Sequence, residues 1–223
     1  MHQSLHQTCR GFRQAAHQAR GAPEGVEGER RAVAQARLAA CRSRKIIMDA
    51  NVLALYAGYA FAHAVQVESV LEEHSLMVPF VVHWRNETPT AVPYPAKTQE
   101  QAVALAIQAR EARTDSPDGW SSGREGLLRQ DDGTERDVLL IEAWVPGLTE
   151  HLVLFHYYSP RPFVLVGGFV FKSNPQFKRS PEESKLFSHH FRRGISSHPF
   201  GEGCLEIIEK TVGRWPTATG QNR

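Results

Sequence analysis

The sequence is short of cysteine, of long apolar runs and of surplus charge, and each shortage closes off a class of protein. Three cysteines, Cys9, Cys41 and Cys204, are scattered over 223 residues, too few for a disulfide framework. They imply a reducing setting, so a cytoplasmic location is expected. No stretch approaches the ~20 apolar residues that cross a bilayer, so no membrane span is expected. With 26 Lys+Arg against 24 Asp+Glu the net charge is only +2. No short repeat dominates, which excludes collagen-like and coiled-coil chains. Neither G-x-x-x-x-G-K-[ST] nor G-x-G-x-x-G occurs, so no sequence-marked phosphate loop is present. Past residue 45 the histidines lack ligand spacing, and the adjacent His189 and His190 would diverge by about 100° on a helix. No C-x-x-C occurs. Neither a metal site nor a cofactor is expected.

What the chain does have is distributed unevenly. Residues 1–45 carry nine basic and three acidic residues, a net +6; residues 46–171 carry eight and sixteen, a net −8; residues 172–223 carry nine and five, a net +4. The first block is rich in Ala, Arg, Gln and Gly and cannot bury enough apolar area to offset its ordering entropy. It reads as a disordered basic leader over 1–46, with Met48 a candidate first residue; a transit peptide and a basic arm are the other readings. Nucleic acid is not an expected partner except through that 1–45 block, because basic charge is not gathered on a folded face. Residues 213–223 read as a frayed tail.

Between them, 47–212 reads as one domain. Val52, Tyr56, Tyr59, Ala60, His63, Val67, Val70 and Leu71 recur at helical spacing, predicting a long buried helix over about 49–73. Leu76–Trp84 is a short, β-branched and aromatic run and predicts a strand. Asn86–Pro89 is turn chemistry, and Ala91–Tyr94 predicts an edge strand because of Pro93 and Pro95. Thr98 to Gln101 is a capping-box pattern opening a helix to about Arg113, with Ala102, Leu105, Ala106 and Ala109 on one face. Strands are predicted over Trp120–Arg129, Arg136–Trp144, His151–Tyr158 and Phe163–Phe171, separated by Asp132-Gly133, Pro146-Gly147 and Pro160-Arg161-Pro162. Short connections make them antiparallel neighbours. Gly167-Gly168 predicts a bulge or a close backbone approach in the last. Ser180-Pro181 opens a helix to about Arg193; Gly194–Gly203 reads as loop and Cys204–Val212 as a terminal helix.

The fold class is therefore α+β, a central antiparallel sheet of five to six strands covered by helices, in the order α-β-β-α-β-β-β-β-α. That order resembles profilin-like and roadblock-type domains. The chain is also similar to small uncharacterised bacterial proteins, on Val78-Pro79-Phe80 after the first helix, on Thr98, Glu100, Ala102 and Val103, and on the hairpin Asp132 to Ala143. The resemblance implies a fold and no chemistry.

Several residues carry the functional reading. The last strands are apolar on both faces, so both are expected to be covered, by helices or by a second subunit. Glu142 stands on an otherwise apolar strand face, and His156 one strand over on the face of Leu152 and Leu154. If register paired those faces, Glu142 and His156 would form a buried ion pair or acid/base couple, with Tyr158 beside them. Gly119-Trp120-Ser121-Ser122-Gly123 lacks the strand–turn–helix context of a nucleophile elbow. Cys204, six residues after His198, invites a Cys–His pair but is expected to be packed. Aromatic surplus on the last strands marks Trp144, Tyr157 and Phe169 as interface candidates. With no recognisable catalytic constellation, the expectation is a non-catalytic bacterial protein of accessory or immunity type, acting by contact with a protein partner or as a homodimer. The alternative is a small-molecule binder or hydrolase using Glu142, His156 and Tyr158.

Overall fold

The computed structural model describes residues 50–72, 75–112, 118–171 and 180–212, together with Gln35, which is helical and exposed. The chain divides into two compact units, 1–48 and 49–223. The expected disordered leader and frayed tail lie outside the described residues.

The second unit is an α+β fold. Its elements are helix α1 (50–70), strands β1 (Phe80–Arg85) and β2 (Thr88–Pro93), helix α2 (Gln99–Ala112), strands β3 (Gly119–Arg129), β4 (Glu135–Trp144), β5 (Leu152–Pro160) and β6 (Phe163–Phe171), and helices α3 (Pro181–Ser197) and α4 (Gly201–Val212). The six strands form one antiparallel sheet in the order β2-β1-β3-β4-β5-β6. The expected order is met up to β6, and the two helices expected after it, compressed to one in that order, both follow. Local chemistry explains each junction. Asn86 and Glu87 take positive φ, at 50° and 62°, as a two-residue hairpin between β1 and β2 requires. Thr98 Oγ1 accepts from the Gln101 amide at 3.3 Å to start α2. A reciprocal capping box starts α3: the Glu183 amide donates to Ser180 Oγ at 3.2 Å and the Ser180 amide to Glu183 Oε2 at 2.8 Å.

Alternation along the strands assigns two faces. Phe80, Val82, Trp84, Leu139, Ile141, Ala143, Leu152, Leu154 and Leu165 share the main core with α1, α3 and α4. Tyr56 of α1 stacks on Trp84 with ring centroids 3.9 Å apart, and Phe61 meets Phe169 and Phe191 at 4.8 and 5.9 Å. The other face carries a smaller core, Val81, Trp120 and Trp144, under Ala106 of α2. Gly167 and Gly168 are the predicted bulge: His156 pairs with Phe169 and Tyr157 with Val166, so the two glycines have no partner across β5. Nothing lies within 4 Å of a Cβ placed on either, which rules out the close-approach reading.

Three expectations are corrected. Gly194 does not end α3; the helix runs on to Ser197. There α1 and α3 cross with their backbones in contact. A Cβ on Gly194 would stand 2.0 Å from the Leu55 carbonyl oxygen, and one on Gly58 would stand 2.0 Å from that of Phe191. Glycine costs about 1 kcal/mol in a helix, and here it permits a crossing that no other residue allows. On α2, Leu105 is 44% exposed; the buried stripe is Ala102 and Ala106, continued one turn on by Arg110, which is also largely buried. Val70, expected in the core, is 75% exposed at the end of α1.

Candidate functional site

Strand register separates Glu142 from His156. Across β4 and β5, Glu142 faces Val153 and His156 faces Leu139. Leu139 and Glu142 are three positions apart on β4, so their side chains, and with them His156 and Glu142, leave opposite faces of the sheet. The proposed couple does not form.

Each residue has other partners. Glu142 looks toward α2, where Arg110 Nη1 donates to its Oε2 in an ion pair. His151 Nε2 lies 2.9 Å from its Oε1. Arg110 also reaches Ser122 Oγ at 3.4 Å and lies over the Trp120 ring, 5.0 Å from its centroid. Burial alone would raise the Glu142 carboxyl, but hydrogen bonds from His151 and Arg110, with their charge, overcome it and hold the group down at about 2. Glu142 is thus a fixed anion with both oxygens engaged. Arg110 and His151 were absent from the sequence-derived site, although the spacing of Ala102, Ala106 and Arg110 puts that guanidinium on the buried stripe of α2.

His156 lies on the α1 face, fully buried, with Phe61 and Phe169 rings at 5.8 and 4.7 Å. Its Nδ1–H donates to the Tyr157 carbonyl at 2.8 Å, leaving a buried Nε2 with no hydrogen-bond partner among the described residues. Burial lowers its pKa, keeping the ring neutral.

Tyr158 sits on the same face in a carboxyl cluster that sequence reading missed. Its hydroxyl donates to Glu125 Oε2 at 3.3 Å, and Glu68 of α1, only 2% exposed, lies against Glu125. Burial, followed by the charge of Glu125 and a hydrogen bond to it, raises Glu68 to about 8; Asp137 adds to the rise and Arg161 opposes it. Glu68 therefore keeps its proton at neutral pH. Burial and the same acids raise Tyr158 out of reach of ordinary bases. The linkage sign follows: a raised folded-state value gives stability that is full below about pH 4.5 and is lost as pH rises through about 8. Glu68→Gln is therefore expected to match the parent chain at pH 5 and to exceed it by about 1–2 kcal/mol at pH 9. Thermal melts at the two pH values check this, and a gap independent of pH would count against a protonated Glu68.

The remaining candidates are structural. His198 Nδ1 accepts from the Phe200 amide at 3.1 Å, which places its proton on Nε2, facing His63 Nδ1 at 3.2 Å. Burial, then the neighbouring His63, lowers His198 to about 4, so the pair is neutral and ties α1 to the α3–α4 turn. Cys204 is buried and its thiol is pushed up to about 12 by burial; His198 is engaged elsewhere, and no thiolate–imidazole pair is built. Ser121 lies inside β3, fully buried, accepting from Trp84 Nε1 at 3.2 Å, the opposite of an exposed nucleophile.

The interface candidates divide. Trp144 is buried beside Trp120, its Nε1 donating to the Leu148 carbonyl at 3.0 Å, and Phe169 belongs to the aromatic cluster under α1 and α3. Trp144 is buried and Phe169 is partly buried in these clusters. Tyr157 is on the α2 face, beyond the reach of α2, with its hydroxyl accepting from Gln130 Nε2 at 3.1 Å. Its row continues to Val166, 40% exposed, and the next row runs from Leu140 through Phe155 to Val170, 38% exposed. α2 thus covers one part of this sheet face, and the apolar residues toward β6 are only partly covered.

Among the described residues no group of three or more His, Cys, Asp or Glu side chains is placed to hold a metal ion, and no helix is long and apolar enough to cross a membrane. No family model, no curated protein and no solved structure matches this chain.

Proposed function

We propose that this chain acts by protein–protein contact through the apolar edge of the sheet face that lies beyond α2, and that its occupant is a second copy of the chain. The carrying observation is the apolar edge of this face, Phe155, Tyr157, Val166 and Val170, of which Val166 and Val170 are 40% and 38% exposed; further in, Val138 is buried and Arg124 stands opposite Leu140. Contiguous apolar patches of a few hundred Å² on soluble chains mark interaction sites. Two such faces, packed sheet on sheet about 10 Å apart, would bury this edge symmetrically. An accessory or immunity-type role suits a molecule that works by contact.

Light scattering on size-exclusion fractions tests this. A species of about twice the 25.0 kDa chain mass is expected, and Tyr157→Asp with Val166→Asp should give a monomer with an unchanged circular dichroism spectrum. A monomeric parent chain at tens of micromolar would overturn the proposal.

A further inference from the structure

The turn that joins α3 to α4 is held by a single imidazole, in a form that only the neutral ring can take. His198 closes the turn with its backbone: its amide donates to the Ile195 carbonyl at 3.0 Å, and its carbonyl accepts from the Gly201 amide at 2.8 Å. The ring adds two more bonds. Nδ1 accepts from the Phe200 amide at 3.1 Å, and Nε2 stands 3.2 Å from Nδ1 of His63 on α1. Only one direction satisfies both contacts. Phe200 N–H donates to His198 Nδ1, and His198 Nε2–H donates to His63 Nδ1. Each neutral ring has one lone pair, and both lone pairs are occupied.

An added proton must take one of those lone pairs. On His198 Nδ1 it sets a donor against the Phe200 amide. On His63 Nδ1 it sets a donor against His198 Nε2–H. Either way a buried bond becomes a donor–donor clash. The surroundings offer no compensation. His198 is 6% exposed. The Tyr59 ring of α1 lies 4.7 Å from the His198 ring, and the Phe80 ring of β1 lies 4.5 Å from that of His63. Tyr59 is itself kept neutral by burial. Among the described residues no carboxylate is within ion-pair distance of either imidazole. Burial disfavours a charge on both rings, and His63 adds to the effect on His198.

We propose that the α3–α4 turn is an acid-released latch: a proton taken up by the His63–His198 pair frees the turn from α1 and opens the C-terminal helix pair, while the sheet stays folded. The release uncovers the apolar stripe of α4, which includes Cys204 and Ile208. The sign follows from the lowered folded-state values. The latch is fully closed above about pH 6.5 and is lost as pH falls toward about 4. The device does not depend on the contact proposed for the sheet face.

Native-state hydrogen exchange of the full chain, each amide scaled to its unfolded rate at the same pH, tests this. Protection of the Phe200, Gly201 and Cys204 amides is expected to fall about thirtyfold between pH 7 and pH 5, one decade for each pH unit below 6.5 for one proton taken up. The Leu139 and Leu154 amides of the central strands should keep theirs. His198→Asn retains a side-chain acceptor and takes up no proton, so its turn protection should not change with pH. Nitrogen-15 NMR of the parent imidazoles gives a second readout should that variant misfold. His198 is expected as the Nε2–H tautomer at pH 7, and it should gain its second proton over the range in which the turn loses protection. An Nδ1–H tautomer, turn protection unchanged at pH 5, or a parallel loss in the central strands overturns the proposal.

Discussion

Gly194→Ala should leave the chain unable to reach its native state at 37 °C. In an exposed helix the same change stabilises, by up to about 1 kcal/mol. Here the added methyl would meet the Leu55 carbonyl oxygen at 2.0 Å and the Leu55 carbonyl carbon at 2.9 Å. Backbone cannot rotate aside as a side chain can, so α1 and α3 must separate. Separation would open the packing around Phe61, Phe187, Phe191 and Ile195, all fully or nearly fully buried, and a loss above about 4 kcal/mol is expected. Gly58→Ala attacks the same crossing from the other side and should behave alike. The double variant should cost less than the two single changes together, since one displacement relieves both clashes. Urea denaturation of whatever soluble protein is recovered measures this, and a higher midpoint for Gly194→Ala would refute the backbone contact outright.

Glu142→Ala carries the second large effect. It removes the anion between Arg110 and His151 and leaves a largely buried guanidinium without its counter-charge, so a loss of about 3 kcal/mol at pH 7 is expected. Because the native group titrates near pH 2, below the ordinary carboxylate value, its contribution is present above about pH 4.5 and is lost as pH falls through about 2. The gap between parent and variant should narrow across that interval. Arg110→Met in the Glu142→Ala background should recover part of the loss, because no charge is then left unanswered. Denaturant midpoints at pH 7 and pH 3 test the first point, and the double variant at pH 7 tests the second. A deficit unchanged at pH 3 would assign it to packing instead.

The sheet was the legible part of this chain. β3 to β6 were bounded by turn chemistry strong enough to survive without tertiary context, and the bulge at Gly167-Gly168 announced itself by two glycines in an apolar strand. The site was not legible, for a reason of parity. Glu142 and His156 each read correctly as polar residues on apolar strands, but whether they meet depends on which residues β4 and β5 set opposite each other. The loop 145–151 sets Ala143 against Leu152, and that register sends the two side chains to opposite faces. It also leaves His151, expected as the start of a strand, just before β5 and within reach of Glu142. Arg110 was hidden by distance, with its partner 32 residues away. Glu68 and Glu125 belong to elements whose approach no local pattern encodes. Gly194 misled because glycine signals a helix end when local propensity alone is consulted, and here a second backbone decided otherwise.

The buried Cys204 makes the molecule its own stopwatch. A thiol sealed in the core and held almost wholly protonated reacts with an alkylating reagent only when α4 lifts away from the sheet. The rate at which that single sulfur becomes modified under native conditions therefore counts opening events, and its acceleration in a variant would report loosening of the C-terminal helices before any bulk signal of unfolding changed.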